Sequence, residues 1–321
     1  MITYTSSRLF QAAMVLLIMS FVIYGLMGLM PGDPVDILIS SDPDITAEDA
    51  ARLRSLYGLD QPISARYLNW LSALSGGDLG FSRIHSKPVL DVLLPALGAT
   101  TLLLGISFVL SVVLGLSAGI WAASKPNSTR DYTVNFVAFA GISVPPFWLA
   151  ILLILLFSVV WGVLPAGGMG TAQATGIWGN AKYLVLPVIS LTIASVGSHT
   201  RYMRAAMIET LRQDYIRTAH AKGLSPRQVL IGHALRNALL PVTTIVALDF
   251  GALFSGALIT ETIFAYPGMG KMIFDAIMGN DFNLALVALL FATCMTLAGN
   301  MLADGAYVLL DPRIKLQGRR T

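Results

Sequence analysis

An all-α integral membrane protein with six transmembrane helices is the fold class this sequence predicts. Of its 321 residues, 55% are hydrophobic and only 12% are charged, against roughly 25% charged in soluble domains. The mean hydropathy is +0.71. Apolar windows also recur at about 20 residues, the helical length that crosses about 30 Å of hydrocarbon. A soluble enzyme is excluded, because so many apolar side chains cannot all face one core and much of the surface must face lipid. The single cysteine, Cys294, excludes an intramolecular disulfide framework and a cysteine-rich metal site.

The elements follow in order. The window 9–30 carries no charge; it is too long for a signal peptide and lacks an A-x-A cleavage site, so residues 1–30 read as a retained transmembrane helix. Residues 31–97 exceed ordinary connector length and read as an extracytoplasmic helical subdomain. Within it Thr46-Ala-Glu-Asp49 has the form of a helix cap with an acidic first turn, Ala50, Leu53 and Leu56 share a face, and Gly58 is the stop. This segment is either a cover for the outer mouth of the spans or a docking surface for a soluble partner.

Residues 98–310 hold the other five windows, at 98–123, 134–164, 183–198, 238–260 and 284–310, followed by a tail, 311–321. Pro145 and Pro146 predict a kink or break in the third window, because each removes a backbone donor and disfavours α geometry just before it. Gly115-x-x-x-Gly119 predicts close approach of another helix to the second.

Sorting the charges over these loops places 14 of the 21 basic residues on one side and 12 of the 18 acidic ones on the other. By the positive-inside rule both termini are cytoplasmic. The basic excess is thus a topology signal spread over several segments, and no nucleic-acid partner is expected. The cytoplasmic loop 199–237 has explicit local signals. Residues 204–222 have helix-forming composition, and Gly223 stands where a left-handed cap belongs. Ser225 as N-cap, Pro226 at the first helical position and Gln228 then form a capping box, with Leu224 and Val229 placed as a hydrophobic staple. The small pair Ala219 and Gly223 permits close packing, either against the protein's own cytoplasmic ends or against a partner.

Several chemistries are absent. Pro267-Gly-Met-Gly-Lys-Met272 has Ala265 and Met272 where a phosphate loop needs Gly and Ser/Thr. No zinc-protease, serine-hydrolase or cysteine-pair motif occurs, and the four histidines have no metal-site spacing. No catalytic residue, metal site or cofactor is expected in this chain, so energy for active transport must come from another subunit or an ion gradient. Asp249 and Asp304 are the ionisable residues inside predicted spans. Either a translocation pathway or a neighbouring helix would hold Asp249, and an ion-coupled secondary carrier using it is the alternative reading. A membrane-embedded enzyme would need more clustered polar residues, and a scaffold would leave the capped turn without a purpose.

The stretch Tyr215-Ile-Arg-Thr-Ala-His-Ala-Lys-Gly-Leu-Ser-Pro226 with His233-Ala-Leu-Arg-Asn-Ala-Leu-Leu-Pro241 resembles the EAA coupling loop of ABC importer permeases of the dipeptide, oligopeptide and nickel family. Pro31-Gly-Asp-Pro34, Tyr57-Gly-Leu-Asp-Gln-Pro62 with Tyr67 and Trp70, Gly77-Asp-Leu-Gly80, Ser143-Val-Pro-Pro-Phe-Trp148, Leu164-Pro-Ala-Gly-Gly168, Glu261-Thr-Ile-Phe264 and Pro267-Gly-Met-Gly270 are similar to the first of the two permeases in such systems. Arg217, Thr218 and Ala219 stand where the general motif has Glu-Ala-Ala, so a glutamate's electrostatic role is lost. The later position of Pro241 is that of the peptide and nickel branch.

The resemblance implies the type I ABC importer permease fold and an inner-membrane location. It also implies a second homologous permease, two cytoplasmic ATPase subunits holding ATP and Mg, an extracytoplasmic binding protein and a peptide or related small solute as substrate. It places ATPase coupling at Arg217, Thr218, Ala219, Lys222, Gly223 and Leu224. The translocation pathway is expected at Pro145, Pro146 and Asp249, and binding-protein docking at Asp60, Tyr67, Trp70 and Glu261.

Overall fold

The computed structural model describes residues 2–29, 46–56, 60–169, 177–252 and 257–310. The motif starting at Pro31, residues Tyr57 and Gly58, and the tail 311–321 lie outside these. In chain order the elements are α1 (Ile2–Gly28), α2 (Ala47–Leu56), α3 (Ile63–Ser75), β1 (Phe81–Ser82), β2 (Lys87–Pro88), α4 (Val89–Ala123), α5 (Thr129–Ser143), α6 (Pro146–Leu153), α7 (Ile177–Leu211), α8 (Asp214–Ala221), α9 (Pro226–Gln228), α10 (Arg236–Ala252), α11 (Leu258–Ile263), α12 (Met269–Met278) and α13 (Phe282–Leu310). Wider π-helical turns extend α6 over Ile154–Val160 and join α9 to α10 over Val229–Leu235. Among the described residues five helical runs are long and apolar enough to cross a membrane, and α5 with α6 makes up to six if that bent pair is one span.

Helix lengths differ from the apolar windows for physical reasons. α4 starts at Val89 rather than 98 because Val89, Leu93 and Ala96 already pack inside, and Asp91 in the first turn favours a helix N-terminus. α7 runs on to Leu211 although the apolar window ends at 198. Its buried stripe continues through Met203, Ala206 and Met207, at the 3–4 residue spacing of one helix face, while Arg201, Arg204 and Glu209 depress the average. Residues 204–222 therefore form two helices, with α8 beginning afresh at Asp214. The fifth span begins at Pro226 instead of 238, and Thr260 and Glu261 belong to the separate α11. At Pro145 the chain turns by 97° between α5 and α6; Pro145 is extended (ψ 131°) and Pro146 opens the new helix at its first turn, as proline's fixed φ and missing N–H favour.

The chain has two compact units. In Ile2–Gly98 with Gly268–Met295, α1 meets α3, and Tyr24, Tyr67, Leu93, Met269, Ile273 and Leu286 centre the core. The hairpin pairs Phe81 with Pro88 and Ser82 with Lys87. Asp281 ties it down, accepting from Ser82 Oγ at 2.6 Å and Ile84 N at 3.0 Å while also accepting from Leu284 N at 3.3 Å in the first turn of α13. α2 has the predicted cap: Thr46 Oγ1 accepts from Asp49 N, and Asp49 Oδ2 accepts from Thr46 N and Oγ1. Those donors hold the Asp49 carboxyl below its ordinary range.

In Ala99–Pro267 with Thr296–Thr321, α7 is the central helix, packed by α5, α6 and α10. Small residues permit the approach. A Cβ on Gly115 would lie 2.5 Å from His199 Cβ, and one on Gly119 would lie 2.6 Å from Thr200 O, so the two α4 glycines seat that helix directly on α7. Gly197 is closed off in the same way by the Ala138 carbonyl of α5.

Candidate functional site

The α8 turn is built from its own residues upward. α8 ends in a left-handed turn in which Gly223 has φ +82°, Gly223 N–H donates to His220 O at 2.9 Å and Leu224 N–H donates to Ala219 O at 3.3 Å. This is a Schellman closure, and it satisfies carbonyls that the end of a helix otherwise leaves bare. One residue later Ser225 accepts from Gln228 N, and the Gln228 side chain accepts from Ser225 N at 2.9 Å, completing the capping box. Two helix ends thus meet at a fixed angle with their backbone groups satisfied.

α8 is two-faced. Ile216 and Ala219 are buried in a cluster with Met203, Met207, Val229 and Ala234, against which Leu224 also packs. Arg217, Thr218, His220, Ala221, Lys222 and Gly223 are exposed, Arg217 with 80% of its side chain free despite its 3.3 Å pair with Asp214. Ala219 therefore packs against its own chain and is not part of the exposed face. No atom lies within 4 Å of a Cβ built on Gly223; its absence of a side chain answers the backbone angle, not crowding.

Between α5 and α7 is an ion pair that the sequence reading missed. Asp131, 1% exposed, accepts from Arg204 Nε at 2.5 Å and Nη2 at 2.7 Å, and also from Asn127 N and Asn135 Nδ2 at 2.9 Å each. Four donors on one carboxylate fix α5 to α7. The partners are 73 residues apart, and no local pattern joins them.

Asp249 lies in a cleft of about 490 Å³ with Ser107, Ser111, Ser198, His199 and Tyr202. Its Oδ2 is 3.0 Å from His199 Nε2; the imidazole is 1% exposed, the carboxylate side chain 47%. His199 also escaped the sequence reading, which sought histidine clusters. The available signal was a polar stripe, Ser195, Ser198, His199 and Tyr202, at helical spacing on an apolar helix. Pro145 and Pro146 are exposed at the break and line no part of this cleft. Among the described residues no group of three His, Cys, Asp or Glu side chains could hold a metal ion.

The four docking expectations separate. Asp60 is exposed and Trp70 half-buried. Tyr67 is buried, hydrogen-bonds Ser20 through its hydroxyl at 2.8 Å and stacks edge-on with Tyr24. Glu261 is fully buried and accepts from Thr100 Oγ1 at 2.5 Å. Tyr67 and Glu261 are thus corrected to internal supports, since a buried group cannot meet a partner's surface. Glu261 also acts on Tyr266, whose phenol donates to Ala99 O at 3.0 Å; burial, and then the Glu261 charge, push that phenol up to about 12.

Residues 115–316 match the family described as binding-protein-dependent transport system inner membrane component, and residues 1–103 match its N-terminal companion. The chain belongs to that permease family. The permease is 35% identical to the oligopeptide transport system permease protein AppB of Bacillus subtilis, covering 98% of this chain and 100% of that one. It is also 35% identical to the dipeptide transport system permease protein DppB of Escherichia coli, over 89% and 91% of the two chains. Among solved structures, the permease resembles the inward-facing MetNI methionine ABC transporter with a TM-score of 0.58 at 17% identity, covering 70% of this chain and 99% of that one. That likeness shows a shared importer-permease fold. Nothing in these relatives supports the permease as an ion-coupled carrier.

Proposed function

We propose that this permease is the membrane-spanning half of an ATP-driven importer of peptides, paired with a second homologous permease. Two cytoplasmic ATPase subunits bind ATP and Mg, and an extracytoplasmic binding protein delivers the substrate. The termini and the α8 turn face the cytoplasm of a bacterial or archaeal cell, as the basic excess on those loops favours. The subdomain 31–97 lies outside, the core 98–310 spans the inner membrane, and the tail 311–321 returns to the cytoplasm. The observation that carries this reading is the rigid, capped α8 turn, with Arg217, Thr218, Lys222 and Gly223 exposed, in a chain alike over 98% of its length to an oligopeptide permease.

The mechanism is alternating access. ATP binding draws the ATPase subunits together, the exposed face of α8 receives the movement, and Ala219 and Leu224, packed on Met203 and Met207 of α7, pass it into the spans. The α7 helix then carries it to the cleft of Asp249, while the break at Pro145 and Pro146 allows α5 and α6 to move separately. Asp60 and the exposed edge of Trp70 offer the contact for the binding protein.

Affinity purification of the full chain from native membranes is expected to recover two P-loop ATPases and a second permease. Proteoliposomes holding that complex, with the binding protein added, should accumulate radiolabelled dipeptide only when supplied with ATP. A monodisperse single chain driving gradient-dependent uptake after ATP depletion would overturn the assignment.

A further inference from the structure

We propose that the cleft lined by Asp249 and His199 is a subsite for the free ammonium terminus of the transported peptide. This inference rests on the peptide-permease reading. Asp249 is the one carboxylate among the described residues lining the cleft, and no Lys or Arg shares that lining. A carboxylate on an apolar span is costly unless something answers its charge. The buried His199 does so only in part: Nε2 is 3.0 Å from Oδ2, yet neither ring nitrogen has a hydrogen-bond partner. A buried polar nitrogen left in this state carries a desolvation cost that a ligand removes.

The complementary ligand is a donor-rich cation. An ammonium group has three N–H donors and no acceptor, and the cleft offers it the Asp249 carboxylate and the Tyr202 and Ser198 hydroxyls as acceptors. A bare metal ion fits poorly, since His199 and Asp249 supply only two ligands and no third His, Cys, Asp or Glu among the described residues joins them. At about 490 Å³ the cleft falls in the size range of small-molecule sites, roughly 300–1,000 Å³. Phe108, edge-on to His199 with ring centroids 6.4 Å apart, supplies an apolar wall for a side chain. Position is set from behind, because Gly115 holds α4 against the backbone that bears His199.

The test uses the complete transporter in nanodiscs without binding protein, so that the permease alone selects. Saturation-transfer NMR measures L-alanyl-L-alanine, its N-acetyl derivative and glycinamide. The wild type should bind the free-amine probes about tenfold or more tightly over the acetylated one, as loss of a charge-assisted hydrogen bond implies. Asp249→Asn should weaken the free-amine probes by a similar factor and leave the acetylated peptide unchanged. Equal binding of free and acetylated peptide by the wild type overturns the subsite, and this comparison stands even if the variant fails to assemble. Discrimination that survives Asp249→Asn also overturns it. Peptide uptake by a complex that shows no such discrimination removes the subsite alone. Asp249-dependent binding of glycinamide by a complex that takes up no peptide instead removes the peptide reading and supports an ammonium site.

Discussion

At Gly223 the backbone does what only glycine does without strain, since a Cβ in the left-handed region costs about 1–2 kcal/mol. Because nothing crowds that position, Gly223→Ala should lower stability by about 1 kcal/mol and leave the fold intact, measured by thermal melting of the purified complex. Asp131 is a contrasting case. Removing a buried, hydrogen-bonded carboxylate strands its partner, so Asp131→Ala should cost about 3 kcal/mol, while the double variant with Arg204→Ala costs less than the two singles added. Additive losses in melting experiments would show that the pair does not act as a unit. Gly223, Ser225 and Gln228 were legible in the sequence because each acts on a neighbour within five residues. The Asp131–Arg204 and His199–Asp249 pairs were not, because their meeting depends on how α5, α7 and α10 pack.

At the scale of the element, α8 presents one face inward and one outward, and substitutions on the two should behave differently. Ala219→Leu would force a larger side chain among Met203, Met207 and Val229, with an overpacking cost of about 1–3 kcal/mol and loss of complex at elevated temperature. Arg217→Ala combined with Lys222→Ala should leave melting unchanged but weaken retention of the ATPase subunits during purification; equal retention would contradict a docking role for that face. Sequence spacing revealed the Ala219 and Gly223 pair without saying which surface it met. The structure divides it, burying Ala219 and exposing Gly223. Helix ends in spans were poorly legible, since averaged hydropathy falls wherever Arg201, Arg204 or Glu209 share a helix with buried methionines. The break at Pro145 was plain because proline acts on the backbone directly.

Over the whole molecule, the two-sided charge distribution and the apolar helices describe a chain whose charged residues lie mostly in its loops, with few in its spans. Composition revealed the membrane class, and local motifs marked the coupling turn. The buried states of Tyr67 and Glu261 remained hidden, because aromatic and acidic residues in a segment read as external look the same in sequence whether they face a partner or a core. Cysteines replacing Lys222 and Asp60 should be labelled by a membrane-impermeant reagent from opposite sides, Lys222→Cys in inverted vesicles and Asp60→Cys in intact spheroplasts. Labelling of both from the same side would reverse the topology.

The α8 turn converts ATP hydrolysis on the ATPase subunits into movement of this chain. Proteoliposomes carrying Gly223→Trp test this coupling when binding-protein-stimulated ATP hydrolysis and peptide uptake are measured side by side. The complex should assemble with its hydrolysis no longer tied to uptake and with transport lost. Normal stimulated hydrolysis with normal uptake in that variant would contradict it.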